Sequence, residues 1–283
     1  MRKSCRPAAV LEEQAVTGYE IIDFHTHPFT DDSNNICAHI ANCDMSVDNT
    51  RKLFDKLGVS KICGSVICRV GHGTDVDASE WDAVKKSNDT ALLLREKYGD
   101  FYVPGFHVHP GYIKESCEEI ERMAGLGVKL IGELVPYMHG WGKFGVTYSS
   151  HEFDEILDTA RFYGMAVSFH SQDEDCMDEM VKKHKDIVFI AAHPGEYGCF
   201  MRHMERMKYS DNYCLDVSGT GIFRHGMLRH AIDLCGKSRI IFGSDYPTCN
   251  PAMFIGAVLL DTLITDDEKR AIFSENIKTL LGI

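Results

Sequence analysis

Three features of the sequence predict a single α/β domain built as a closed (β/α)8 TIM barrel, with parallel strands and a C-terminal helix. Short apolar, β-rich runs alternate with longer segments of helical period, and there are eight such pairs. Histidines and acids recur at the ends of the apolar runs, where a barrel gathers its functional side chains. A length of 283 residues admits two small domains, but no linker or low-complexity tract divides the chain, and barrels commonly run to roughly 250 residues as one unit.

The strand candidates are Glu20 to His25, Val59 to Ile67, Phe101 to Val108, Val128 to Leu134, Ala166 to His170, Ile187 to His193, Tyr213 to Val217 and Arg239 to Asp245. Helical period spans about Ser46 to Leu57, Glu80 to Tyr98, Ile113 to Leu126, Ser150 to Tyr163, Asp175 to His184, Tyr197 to Tyr209, Arg224 to Cys235 and Pro251 to Leu263. Each helix must carry the chain back to the edge where the next strand starts, so the strands run parallel. A last helix starts at the capping box of Thr265 and Glu268. It carries one apolar stripe on Ile272, Phe273, Ile277, Leu280 and Leu281 and stops at Gly282. Residues 1–18 form a peripheral N-terminal extension and residues 19–283 the barrel domain.

Composition narrows the function. Lys+Arg number 30 against 42 Asp+Glu, a net charge of −12 that disfavours a surface for nucleic acid or anionic lipid and leaves small-molecule substrates. The eleven cysteines are odd in number and lack a C-x-x-C pair, so they read as reduced thiols, mostly buried. No apolar run reaches the ~18 residues of a membrane span, and Glu12, Glu13 and Gln14 interrupt any export signal. A cytoplasmic location is expected. The outer helices leave room for a homo-oligomer without specifying one.

The chemistry lies at the strand ends. Ile21 to Pro28 reads as a buried strand whose period of two puts His25 and His27 on one face as it enters a loop. Alone, such a pair is as readily two hydrogen-bonded core histidines. Strand four, however, ends in Glu133, strand five in His170, strand six in His193 and strand eight in Asp245, all residue types that bind divalent cations. Random histidines would not close successive strands in this way. The expected cofactor is one or two divalent ions, zinc first, with Mn, Fe or Ni equally suited to such ligands.

These residues resemble a known family. The D-x-H-x-H at Asp23 to His27, His170, the H-P-G at His193, the S-G at Ser218, the F-G-S-D-Y-P at Phe242 and the E-N-x-x-x-L-L-G-I at Glu275 resemble the amidohydrolase superfamily, in its amidohydrolase-2 branch of hydrolases and decarboxylases. The likeness runs from about Tyr19 to the end. It implies that His25, His27, His170 and Asp245 hold a first metal, His193 a second metal or the substrate, and a strand-four residue a bridge. Lys129 and Glu133 compete for that bridge. On period-two parity they share a face with Ile131, but four residues put Lys129 ~13 Å lower, near the barrel floor. Glu133 is then the ligand, as in TatD-like and phosphotriesterase-like relatives, unless it only orients a neighbouring histidine.

Other polar residues are weighed against ordinary roles. His107 and His109 form a second H-x-H, with His109 the substrate contact and His107 core packing. His72, His139 and His151 lie in loop or helix-start sequence, where a solvated histidine is the default. The long loop after strand four nevertheless offers Tyr137, His139, Trp141 and Lys143 as a substrate wall, since barrel loops carry specificity. A carboxylate bridge favours metal-activated water, with Asp245 moving the proton. The first expectation is therefore a hydrolase acting on an amide, ester, lactone or phosphoester. The alternative is a non-oxidative decarboxylase of an aromatic or enoic acid, and the third a non-catalytic metal-binding barrel.

Overall fold

The computed structural model describes residues 17–29, 46–68, 70, 79–222 and 224–283. His72 and nearly all of the expected N-terminal extension lie outside the described residues. Eight strands alternate with helices: β1 Ile21–Asp23, α1 Val47–Leu57, β2 Val59–Gly64, α2 Glu80–Tyr98, β3 Tyr102–Phe106, α3 Ile113–Gly125, β4 Leu130–Leu134, α4 Pro136–His139 and α5 His151–Phe162. There follow β5 Ala166–His170, α6 Glu174–Lys183, β6 Val188–Ala192, α7 Tyr197–Tyr209, β7 Tyr213–Asp216, α8 Met227–Cys235, β8 Ile240–Ile241 and α9 Pro251–Leu259. The chain ends in α10 Asp266–Arg270 and α11 Asn276–Leu281, joined by a π turn.

All neighbouring strands are parallel and pair in sequence order. The ring closes beyond the formal strands, where Phe24 N–H donates to Phe242 O at 3.0 Å, Asp245 N–H to His25 O at 2.8 Å and His27 N–H to Tyr246 O at 2.7 Å. Strand eight is thus shorter than its apolar run, because residues past Ile241 leave the ladder with β7 and bond to the continuation of β1. Period-two alternation divides the strand residues between two cores. Ile22, Cys63, Leu130, Ala166, Ile190, Cys214 and Ile241 pack in one cluster, which is possible only inside a closed ring. Their neighbours Ile21, Ile62, Ile131, Val167, Phe189, Leu215 and Ile240 pack outward with the helices.

The final helix is more than an appendage. Thr265 and Glu268 make the expected capping box, and Ile277 and Leu281 join the interior cluster, so this helix plugs the barrel floor. Lys129 is exposed beside that floor, among the residues of a small cavity with Leu281 and Gly282. Among the described residues eight cysteines are free thiols, three buried and five partly buried.

Parity misplaces Glu133. Ile131 belongs to the outer core, so strict alternation would send Glu133 outward with it, yet the β4 to β5 register shifts between Ile131 and Leu134 and Glu133 turns into the barrel. Gly132 makes this irregularity feasible: at φ 96° a Cβ there would lie 2.0 Å from Ser168 O. Replacing Ile277 by Ala should cost about 2–5 kcal/mol in urea-induced unfolding, because it empties a floor that no water can fill favourably. A loss below about 1 kcal/mol would show that the last helix does not seal the interior.

Candidate metal centre

His25 and His27 leave β1 on the same side and bring their Nε2 atoms to 3.2 Å. Glu133 Oε2 stands 3.2 Å from His25 Nε2 and 3.4 Å from His27 Nε2. Asp245 Oδ1 lies 3.7 and 3.6 Å from the same two atoms. The far nitrogens determine what faces inward. His25 Nδ1 is 2.8 Å from the Asp216 carboxylate and His27 Nδ1 is 2.9 Å from Ser65 O, both pure acceptors. Each Nδ1 therefore carries a proton, which leaves each Nε2 as the nitrogen able to hold a cation.

Two imidazole nitrogens and two carboxylate oxygens thus converge, a grouping that needs a cation or a proton between its members. Ligands at roughly 2.0–2.2 Å from a tetrahedral cation lie about 3.3–3.6 Å from one another, close to the separations found here. Among the described residues the sets able to share one ion are His25, His27 and Asp245, and His25, Glu133 and His193. The donor set fits a divalent ion.

Charges are correspondingly perturbed. Burial works against ionisation of Glu133, but His25 and His170 hold its carboxyl well below the usual range. Burial likewise opposes charge on His25, and the Asp216 and Glu133 carboxylates still hold it well above an ordinary histidine. Asp245 is pushed up by burial, which the nearby histidines only partly offset. His193 and Asp245 adopt φ of 68° and 64°, a left-handed backbone costing roughly 1–2 kcal/mol that turns each side chain off its strand into the mouth.

His170 is placed differently from the other five. Its Nδ1 lies 2.9 Å from Glu133 Oε1, so it reaches the convergent group through that carboxylate. The same contact engages one of the two oxygens that a metal bridge by Glu133 would require. A cavity of about 380 Å³ opens above, floored by His27, Glu133, His170, His193 and Asp245 and walled by Ile67, Val135, Tyr137, Met138 and Cys249.

Of the expected substrate wall, the structure brings only Tyr137 to the cavity, 63% exposed and edge-on to His170 at 5.5 Å. The rest is corrected. Pro136 starts a one-turn helix, which directs Tyr137 outward and His139 into the core against His107, with ring centroids 4.6 Å apart. Trp141 is fully buried against Tyr148 and Phe153, and Lys143 turns to Glu80 at 2.5 Å. His109 is fully buried and spends both ring nitrogens on the backbone, at His139 O and Gly111 N–H. The solvated default also fails for His139, which no water reaches.

Sequence reasoning missed Asp216 and named Ser218 only within a motif, without a role. Asp216 is fully buried behind His25, with Ser218 beside it. The signal was present: an acid near the end of strand seven, at the level where the other strands present ligands.

A sequence model of the Amidohydro_2 family, the amidohydrolases, matches residues 22–283. The chain belongs to that family. No curated protein sequence matches this amidohydrolase closely enough to compare. Among solved structures, 5-carboxyvanillate decarboxylase from Novosphingobium aromaticivorans, complexed with manganese and 4-hydroxy-3-methoxy-5-nitrobenzoic acid, matches at TM-score 0.72 and 14% identity, over 95% of this chain and 98% of that one. For 2,6-dihydroxybenzoate decarboxylase from Rhizobium the TM-score is 0.71 at 16% identity, over 93% and 99%. A putative amidohydrolase from Staphylococcus aureus matches at 0.66 and 17%, over 93% and 100%.

These matches correct one expectation and leave a second unconfirmed. Hydrolysis was placed first on the strength of a bridging Glu133, whereas the enzymes with a named reaction among these matched structures are decarboxylases. A divalent ion fits the residues present, but zinc as the first choice is not confirmed, since the matched 5-carboxyvanillate enzyme is complexed with manganese. Truncation separates wall from core. Trp141→Ala should cost about 3–5 kcal/mol in urea unfolding, and Tyr137→Ala no more than about 0.5 kcal/mol. Equal losses would place Tyr137 in the packed core.

Proposed function

We propose that this amidohydrolase is a divalent-metal-dependent, non-oxidative decarboxylase of an aromatic carboxylic acid, with manganese the favoured ion. The observation that carries the reading is the near full-length match to aromatic-acid decarboxylases, one of them complexed with manganese and a nitrobenzoic acid, over a converging set of histidines and carboxylates. His25, His27 and Asp245, or His25, Glu133 and His193, are the sets that would hold the ion, with His170 oriented by Glu133. When bound, the cation supplies the positive charge that neutralises the acidic floor and anchors the substrate's carboxylate.

The reaction, Ar–COO⁻ + H⁺ → Ar–H + CO2, breaks one carbon–carbon bond, leaves its electron pair on the ring carbon and consumes one proton there. Asp245 borders the cavity and is the group that would deliver it, while His193 turns its Nε2 to the same space. Tyr137 offers its ring edge or face to an aromatic substrate, and Ile67, Val135 and Met138 exclude water beside it. An anionic carboxylate is poorly solvated against such a wall, while neutral CO2 is not.

Manganese-loaded protein should release CO2 from 2,6-dihydroxybenzoate or a related ortho-hydroxy aromatic acid, read as the formation of the corresponding phenol. Fully loaded protein inert toward a panel of such acids would overturn the reading. Asp245→Asn should lower turnover by about 10²-fold or more, and undiminished turnover would remove Asp245 from the reaction. His25→Ala should reduce bound divalent metal in the purified protein, and full occupancy by metal analysis would exclude His25 as a ligand.

A further inference from the structure

Behind the convergent group, one hydroxyl touches His25, His193 and the Asp216 carboxylate that holds His25. Ser218 Oγ lies 3.0 Å from His25 Nδ1, 3.0 Å from His193 Nδ1, and is hydrogen-bonded to Asp216 Oδ1. A hydroxyl has one proton to donate and two lone pairs with which to accept. Asp216 is already ringed by donors, with Ser218 N–H at 2.8 Å on Oδ1 and His25 Nδ1–H at 2.8 Å on Oδ2. It therefore acts as an ionised acceptor, and the Ser218 proton goes to it.

The remaining capacity of Ser218 is to accept. His193 Nδ1 must then carry a hydrogen, and the Nε2 of neutral His193 keeps its lone pair. That atom is 3.6 Å from Glu133 Oε1, on the cavity side of the ring. Packing supports the same placement. Gly219, at φ 58°, backs the ring so closely that a Cβ would fall 2.2 Å from His193 Nδ1. Serine pegs the imidazole and the adjacent glycine makes room for it.

We propose that Ser218, backed by Asp216, is a positioning residue that locks His193 in its Nδ1–H tautomer and aims Nε2 at the reacting end of the cavity. The kinetic part rests on reading that cavity as the decarboxylase site, and the tautomer does not. Removing the hydroxyl leaves the His193 Nδ1–H without its acceptor, so the ring populates both tautomers and rotates.

The test has two independent readouts. In zinc-loaded, ¹⁵N-histidine-labelled protein, with His193 assigned by the signals lost in His193→Gln, the wild type should show a protonated Nδ1 and an unprotonated Nε2. Ser218→Thr should keep that pattern and Ser218→Ala should lose it. A bare Nδ1 in the wild type, which needs no variant, or an unchanged spectrum in Ser218→Ala, overturns the proposal. With manganese and 2,6-dihydroxybenzoate, Ser218→Ala should lose about 10–100-fold in kcat at nearly constant KM and metal content, and Ser218→Thr should recover most of it. Wild-type kcat in Ser218→Ala overturns the proposal. A wild-type enzyme with the expected tautomer but no decarboxylation would instead retire the decarboxylase reading and leave Ser218 standing.

Discussion

The upper half of this barrel is arranged around two imidazole nitrogens and two carboxylate oxygens held in one place. His25 Nε2, His27 Nε2, Glu133 Oε2 and Asp245 Oδ1 face each other across 3.2 to 3.7 Å in a buried setting. Only a cation or added protons make such a grouping favourable, since buried charges without a partner cost several kcal/mol each. The fold must therefore supply the energy that holds the group together before any ion arrives. It does so from outside the group, through carbonyls and carboxylates that grip the far side of each ring.

That grip is distributed over the strands. Ser65 O on the β2 side holds His27, Asp216 at the end of β7 holds His25, and Glu133 on β4 holds His170. Asp23, fully buried one residue before Phe24, accepts from Ser244 N–H at 2.9 Å and His25 N–H at 3.3 Å, fastening the two strand ends that carry His25 and Asp245. Burial pushes the Asp23 carboxyl up to about 7, opposed by these same hydrogen bonds. No single strand defines the site. A displacement of any one would move a ligand by more than the few tenths of an ångström that metal coordination tolerates.

Much of this was legible in the sequence, and the physical reasons are specific. Periods of two and 3.6 survive in any barrel because each strand and helix must bury one face, so the eight units, their parallel order and the capping box at Thr265 could be read directly. Strand-end residues follow from the fold, which brought His25, His27, His193 and Asp245 together on paper before they met in space. Glu133 was chosen by height above Lys129, a sound reason, but the parity argument beside it fails at the register shift after Ile131. The wall was the least legible part. Whether Tyr137 or Trp141 faces the cavity depends on one turn of helix begun by Pro136, and on whether His139 finds space beside His107, neither of which has a periodic signature. Asp216 was overlooked because a carboxylate that holds a ligand looks no different in sequence from one that is a ligand.

The choice between hydrolysis and decarboxylation was illegible for a deeper reason. A carboxylate near a bound cation takes a proton from water in the first reaction, and a group in the same position gives a proton to carbon in the second. The ligand set serves both, so motifs built from ligands carry no information about direction. What differs is the company kept by the substrate: a hydrolytic site must admit and hold a water in line with the scissile bond, whereas a decarboxylating site gains from its exclusion. Above the acidic floor the cavity is lined by Ile67, Val135, Tyr137 and Met138 together with Thr220, Thr248 and Cys249, with no described lysine or arginine among the cavity residues. A substrate anion in this cavity would find its positive partners at the bound cation and at the histidines of the floor. The rest of a substrate would meet the mixed apolar and hydroxyl-bearing wall built by the loops after β2, β4, β7 and β8, and it is the proposed decarboxylase reading that gives the apolar part of that wall its use.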